Sequence, residues 1–93
     1  MNRVEIEERV IALISETMAL PVEEMSDPAT NLREDLGMDS MDFVDLLVDL
    51  ERHLGHRVDR ELLVDIRTVG QVVDLVDDLA ARRAQADAAE AIR

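Results

Sequence analysis

Leu36-Gly37-Met38-Asp39-Ser40-Met41-Asp42-Phe43-Val44-Asp45-Leu46-Leu47-Val48-Asp49-Leu50-Glu51-Arg52-His53-Leu54-Gly55 reads as one amphipathic helix carrying its own start and stop signals. Asp39 and Ser40 are both residue types that cap a helix by accepting from the backbone N–H groups of its first turn. Gly55 suits the left-handed position that follows a helix. At about 100° per residue, Phe43, Leu46, Leu47, Leu50 and Leu54 fall on one side, as a core stripe requires. The other side should be polar, yet Met41, Val44 and Val48 cluster there, edged by Asp42, Asp45 and Asp49. Such a surface suits docking onto a basic partner. Scattered exposed hydrophobics and solvated charge runs are the plainer account. Five acids between Asp39 and Glu51, with Arg52 as the base at their edge, weigh towards docking.

Working outward, Ile6, Val10, Ile11, Leu13, Ile14 and Met18 recur at three- and four-residue steps among Glu5, Glu7, Glu8 and Glu16, which predicts a first amphipathic helix over 4–18. Pro21 cannot continue a helix interior, and the run to Gly37 holds Ser26, Asp27, Pro28 and Asn31, all turn formers. This is a long structured loop, with Leu32 and Leu36 placed to pin a helical turn inside it. Loops above about 12 to 15 residues are uncommon in compact domains and tend to serve function. Beyond Gly55, residues 58–66 accommodate a short third helix with Leu62, Leu63 and Ile66 as its apolar contacts. Thr68-Val69-Gly70-Gln71 fits a capping box opening the last helix, followed by the stripe Val69, Val72, Val73, Val76 and Leu79. The Ala-rich residues 80–93 are expected to extend that helix and then fray. The fold class is all-α, a four-helix bundle with a long first loop and a short third helix.

Ninety-three residues make one small domain. Its core must be aliphatic, since Phe43 is the one aromatic residue. Twenty-two Asp and Glu face ten Arg and no Lys, a formal charge of −12 that makes binding to a phosphate backbone unfavourable and excludes nucleic acid as the expected partner. No cysteine is present, so there is no disulfide, no thiolate ligand and no cysteine nucleophile. Any thiol chemistry must be borrowed. The acidic N-terminus lacks a secretory pattern, and no stretch approaches the roughly 18 apolar residues of a membrane span. A soluble cytoplasmic protein is the expectation, with a monomer as its simplest state.

Ser40 is the residue with most chemical scope. Its commonest fate would be capping. With Asp39 as the cap, Ser40 becomes the first helical residue, its hydroxyl points outward, and a phosphate attached there sits at the positive end of the helix dipole. The hydroxyl alone is a poor nucleophile, because neither His53 nor His56 can reach it from the far end of the helix. An enzyme in its own right is disfavoured. His53, His56 and Asp59 do not converge as a metal site, and the spacing of Asp39, Asp42 and Asp45 is helical, without the alternating ligands and central glycine of a calcium loop. No metal is expected.

The run Leu36-Gly37-Met38-Asp39-Ser40-Met41-Asp42, followed by Phe43-Val44-Asp45-Leu46-Leu47, resembles the phosphopantetheine attachment site of freestanding acyl carrier proteins. The resemblance spans residues 4–79, so 1–80 reads as the carrier domain and 81–93 as an Ala-rich extension. It implies that a phosphopantetheinyl transferase moves a 4'-phosphopantetheine arm from coenzyme A to Ser40, with Asp39 contacting the transferase. The arm's thiol would carry acyl groups as thioesters in fatty-acid or polyketide-type biosynthesis. Met41, Asp42, Val44, Asp45 and Val48 occupy the positions by which the family docks onto acyl-loading, ketosynthase and other acyl-processing enzymes with basic surfaces. Phe43, Leu46, Leu47, Leu62 and Val64 are the candidates for lining the space that receives the cargo. Arg52 and His53 stand where fatty-acid carriers commonly continue with acids, so part of the docking face is less negative. Gly37-Met38-Asp39 lacks the Leu-Gly-Gly lead of peptidyl carriers, which favours acyl over aminoacyl cargo. The rival from another class is a cofactor-free acidic helical module that docks through Met41, Val44 and Val48 alone.

Overall fold

In a computed structural model, residues 2–55 and 57–92 are described, with the backbone alone for 84–92. Three α-helices carry the fold: α1 Arg3–Met18, α2 Ser40–Leu54 and α3 Val69–Ile92. Short 3-10 turns lie at Val22–Met25 and Arg60–Leu63, and no strand occurs among the described residues. The all-α class stands. The four-helix count does not, because the expected third helix is only the single turn Arg60–Leu63. Asp59 caps it by accepting the Glu61 N–H at 3.0 Å, but none of its residues is buried. Without an apolar face to bury, nothing offsets the cost of nucleating an α-helix, and four residues are the ordinary length of a 3-10 turn.

The core is aliphatic throughout. Ile6, Val10, Leu13 and Ile14 of α1 meet Leu46 and Leu50 of α2 and Val69, Val72 and Val73 of α3, joined by Met25, Leu32, Leu36 and Met38 from the long loop. Full burial of such a side chain stabilises by about 1.5–3 kcal/mol. At the N-terminus of α1, Asn2 accepts the Glu5 N–H at 2.9 Å. At its other end Ala19 adopts φ 55°, and the Leu20 N–H returns to the Ser15 carbonyl at 3.1 Å. On the surface, Arg3 reaches Asp74 and Asp77 of α3, whose carboxylates, Asp74 foremost, raise the pKa of its guanidinium.

The long loop is stitched to the start of α3. Leu32 N–H donates to the Arg67 carbonyl at 2.8 Å, Val69 N–H to that of Thr30 at 3.1 Å, and Gly70 N–H to that of Pro28 at 2.9 Å. A β-carbon on Gly70 would lie 3.1 Å from both the Pro28 carbonyl oxygen and its Cβ, so only glycine allows this approach without displacement. The expected capping box of α3 is present: Thr68 Oγ1 accepts the Gln71 N–H at 3.2 Å, and Gln71 Oε1 accepts the Thr68 N–H at 3.1 Å. Buried Leu32 and Leu36 hold the intervening turn, and Gly37 leaves it at φ 73° towards α2. The Ala-rich stretch is helical through Ile92, whereas His56 and Arg93 lie outside the described residues. No described helix is long and apolar enough to cross a membrane.

Candidate functional site

The start of α2 is held by two aspartates. Asp39, extended at φ −104°, accepts the Asp42 backbone N–H at 3.0 Å, while Asp42 accepts the Asp39 N–H at 3.1 Å. The first helical bond runs from Phe43 N–H to the Asp39 carbonyl at 3.0 Å. Between them sits Ser40, exposed, with its hydroxyl in no hydrogen bond among the described residues. The two capping roles open from the sequence are thus divided: Asp39 caps, and Ser40 is the first helical residue. An exposed hydroxyl at the positive end of a 15-residue helix can take a phosphodiester that the helix N-terminus then stabilises. The donor set fits such a group, since Ser40 offers the attachment oxygen and no structural hydrogen bond has to break.

Along α2 the two apolar faces are both real. Leu46, Leu47 and Leu50 are buried, whereas Met41 is 76% exposed and Val44 and Val48 are each 41% exposed. Asp45 is exposed and Asp42 half-buried beside them. The ion pairs of Arg3 with Glu7, Asp74 and Asp77 and of Arg82 with Asp78 sit on α1 and α3, and none draws on an acid of α2. Arg52, the base at the edge of this face, lies in a surface recess with Glu16, Asp45 and Asp49. Its charge is therefore surrounded by acids. Asp49 also accepts from the Thr17 hydroxyl at 3.3 Å.

Behind this face, α2 and the Arg60–Leu63 turn bound two recesses that share Phe43, Leu63 and Val64. The larger, about 580 Å³, runs to Asn31, Ile66 and Arg67. The smaller, about 170 Å³, adds Val44, Leu47 and Arg60. Of the residues expected to line a cargo space, Phe43, Leu47 and Val64 border these recesses. Leu46 is fully buried in the core, and Leu62, 43% exposed, borders neither. Leu63, Ile66 and the arginines were not anticipated as lining. Arg33 reaches the recess because its loop is stitched to α3, a pairing with no local signal, whereas Leu63 and Ile66 carry in the sequence only the spacing of packing contacts. No group of three or more potential metal ligands converges among the described residues.

Residues 8–76 match the protein family described as the phosphopantetheine attachment site. The chain is 47% identical over 90 residues to an acyl carrier protein of Saccharopolyspora erythraea, covering 97% of this chain and 94% of that one. It is 38% identical over 76 residues to the acyl carrier protein of Thermotoga maritima, covering 82% of this chain and 93% of that one. A third relative, acyl carrier protein 2 of Ralstonia nicotianae, is 36% identical over 81 residues, covering 87% of this chain and 99% of that one.

Proposed function

Because this chain belongs to the acyl carrier proteins, which are carriers and not enzymes and hold a covalent 4'-phosphopantetheine, we propose that Ser40 is the attachment residue. The observation that carries this reading is the division of labour at the start of α2. Asp39 does the capping, and Ser40 presents an unengaged, exposed hydroxyl in the first turn. A transferase loads the family from coenzyme A. In that step the Ser40 oxygen forms the new phosphodiester bond, the pyrophosphate bond breaks, and the adenosine bisphosphate half leaves. The hydroxyl proton passes to the transferase or solvent, since no described base of this chain touches Ser40. When bound, the arm supplies the thiol that the sequence lacks, and acyl groups ride on it as thioesters.

The finer reading follows from the α2 surface. Met41, Val44 and Val48 would supply apolar contact, and Asp42 and Asp45 would meet basic residues of the transferase and of acyl-loading, ketosynthase and other processing enzymes. Carboxylates around a small apolar patch steer such encounters and raise their rate. Asp39 would act on the transferase from the cap. The protein serves fatty-acid or polyketide-type biosynthesis as a cytoplasmic monomer, with 1–80 as the carrier domain and 81–93 as an extension.

Intact mass after incubation with coenzyme A, magnesium and a broad-specificity transferase tests the assignment. The wild type should gain one phosphopantetheine, and Ser40→Ala should gain none while unfolding within about 0.5 kcal/mol of the wild type. Loading of Ser40→Ala would place the arm elsewhere. An unmodified wild type beside a loaded control carrier would overturn the reading.

A further inference from the structure

The recesses behind α2 differ in charge from the rest of the molecule. Phe43, Leu63, Val64 and Ile66 line them with apolar surface, and Arg33, Arg60 and Arg67 line them too. In a chain of net charge −12 these three arginines are exposed and make no ion pair with any described acid, although Glu34 lines the same recess as two of them. Arg3 and Arg82, by contrast, are each paired with acids. The Arg33 guanidinium lies 5.7 Å from the centroid of the Phe43 ring. That cation–π contact sets the exposed guanidinium against the recess wall. Phe43 is three residues beyond Ser40 on α2, which places their β-carbons about 5–6 Å apart on one helix face. Phe43 therefore links the guanidinium of Arg33 to the turn of α2 that carries the proposed attachment residue.

We propose that the arginines lining this recess, which borders the space where the family resemblance puts the acyl cargo, select acyl groups bearing a carboxylate over unsubstituted ones. The inference rests on Ser40 as the attachment residue and goes beyond it to the class of cargo. A guanidinium presents a planar fork of N–H donors matched to a carboxylate, and such charge-assisted bonds are among the strong ones. About 580 Å³ is within the usual size of a small-molecule site, and the recess lining is divided between apolar side chains and Asn31, Arg33, Glu34 and Arg67. An all-hydrocarbon chain would cover the apolar lining but answer none of the guanidinium donors. A chain ending in a carboxylate satisfies both.

The test compares two five-carbon acyl groups, pentanoyl and glutaryl, which differ by a terminal methyl against a terminal carboxylate. Each is loaded from its coenzyme A thioester by the transferase onto the full chain, with the arm-only form as baseline. The glutaryl form should melt about 4 °C or more above the pentanoyl form, a shift readily resolved for a domain of this size. It should also move the Nε–H NMR signals of Arg33 and Arg67. The double variant Arg33→Gln, Arg67→Gln should still accept the arm but lose the gap. Equal melting of the two acyl forms, or a gap that survives in the double variant, would overturn the proposal. Arginine signals already shifted in the arm-only form would assign these arginines to the arm's phosphate instead and overturn it equally. Failure to gain mass at all would remove Ser40 as the attachment residue, and the cargo proposal with it.

Discussion

Asp39 and Asp42 cap each other, each carboxylate accepting the other's backbone N–H, at 3.0 and 3.1 Å. The consequence falls on the residue between them. Ser40 is relieved of the capping that a serine at a helix start usually performs, so its hydroxyl stays available without weakening α2.

Asp39→Ala should therefore destabilise the protein by about 1 kcal/mol, the usual cost of a lost N-cap, while Asp39→Asn, which keeps an acceptor oxygen, should cost much less. Urea midpoints of the two variants check this. Equal midpoints would mean that the cap is not what holds the start of α2.

Ala19 ends α1 in the left-handed region at φ 55°, where a β-carbon is strained by roughly 1–2 kcal/mol. Glycine removes that strain but has more freedom to lose on folding, about 0.4–1 kcal/mol. Ala19→Gly should thus stabilise by about 0.5 kcal/mol in net. A lower melting temperature for this variant would contradict the assignment of strain at α1's end.

Gly70 is closed in by Pro28, with contacts of 3.1 Å awaiting any β-carbon and a 2.9 Å hydrogen bond tying the same two residues. Gly70→Val must push the loop from α3 and lengthen that bond, so it should destabilise by about 1–3 kcal/mol, the range for overpacking. Hydrogen exchange should show the loss locally, as faster exchange at Gly70, Val69 and Leu32, whose amides make the stitching bonds. Unchanged exchange there would mean that the loop is held chiefly by its buried leucines.

With a net charge of −12 the folded chain repels itself, and salt should relieve it. Between 0.01 and 0.15 M ionic strength the screening length falls from about 30 to about 8 Å, so the melting temperature should rise over that interval. A flat profile would show that the few ion pairs of Arg3 and Arg82 already balance the repulsion.

How far the fold can be read without coordinates depends on how local each signal is. The second helix, its Gly55 terminator and its two apolar faces follow from periodicity and turn chemistry within 20 residues, and the structure has them at φ 77° for Gly55 and Ser40–Leu54 for the helix, while the choice of Asp39 over Ser40 as its cap comes from the structure. The Thr68–Gln71 box is equally local. The short third helix misled because Leu62, Leu63 and Ile66 have helical spacing, yet Leu62 and Val64 are exposed and the segment buries too little to become one. The family resemblance offers Leu46 as lining for a cargo space, yet it lies in the core, as its place on the helix wheel requires.

What the sequence determined by itself was therefore the class of fold, the start of α2 at Asp39 and Ser40, and a negative, partly apolar face beyond it. Each depends on the chemistry of neighbouring residues within one or two helical turns. Tertiary structure alone decided where the loop goes. Its bonds from Pro28, Thr30 and Leu32 to the start of α3 join residues more than 30 positions apart, and they bring Arg33 and Arg67 to one recess with Phe43. No local pattern encodes such a meeting, because it is set by how the buried aliphatic side chains of all three helices and the loop fill one core.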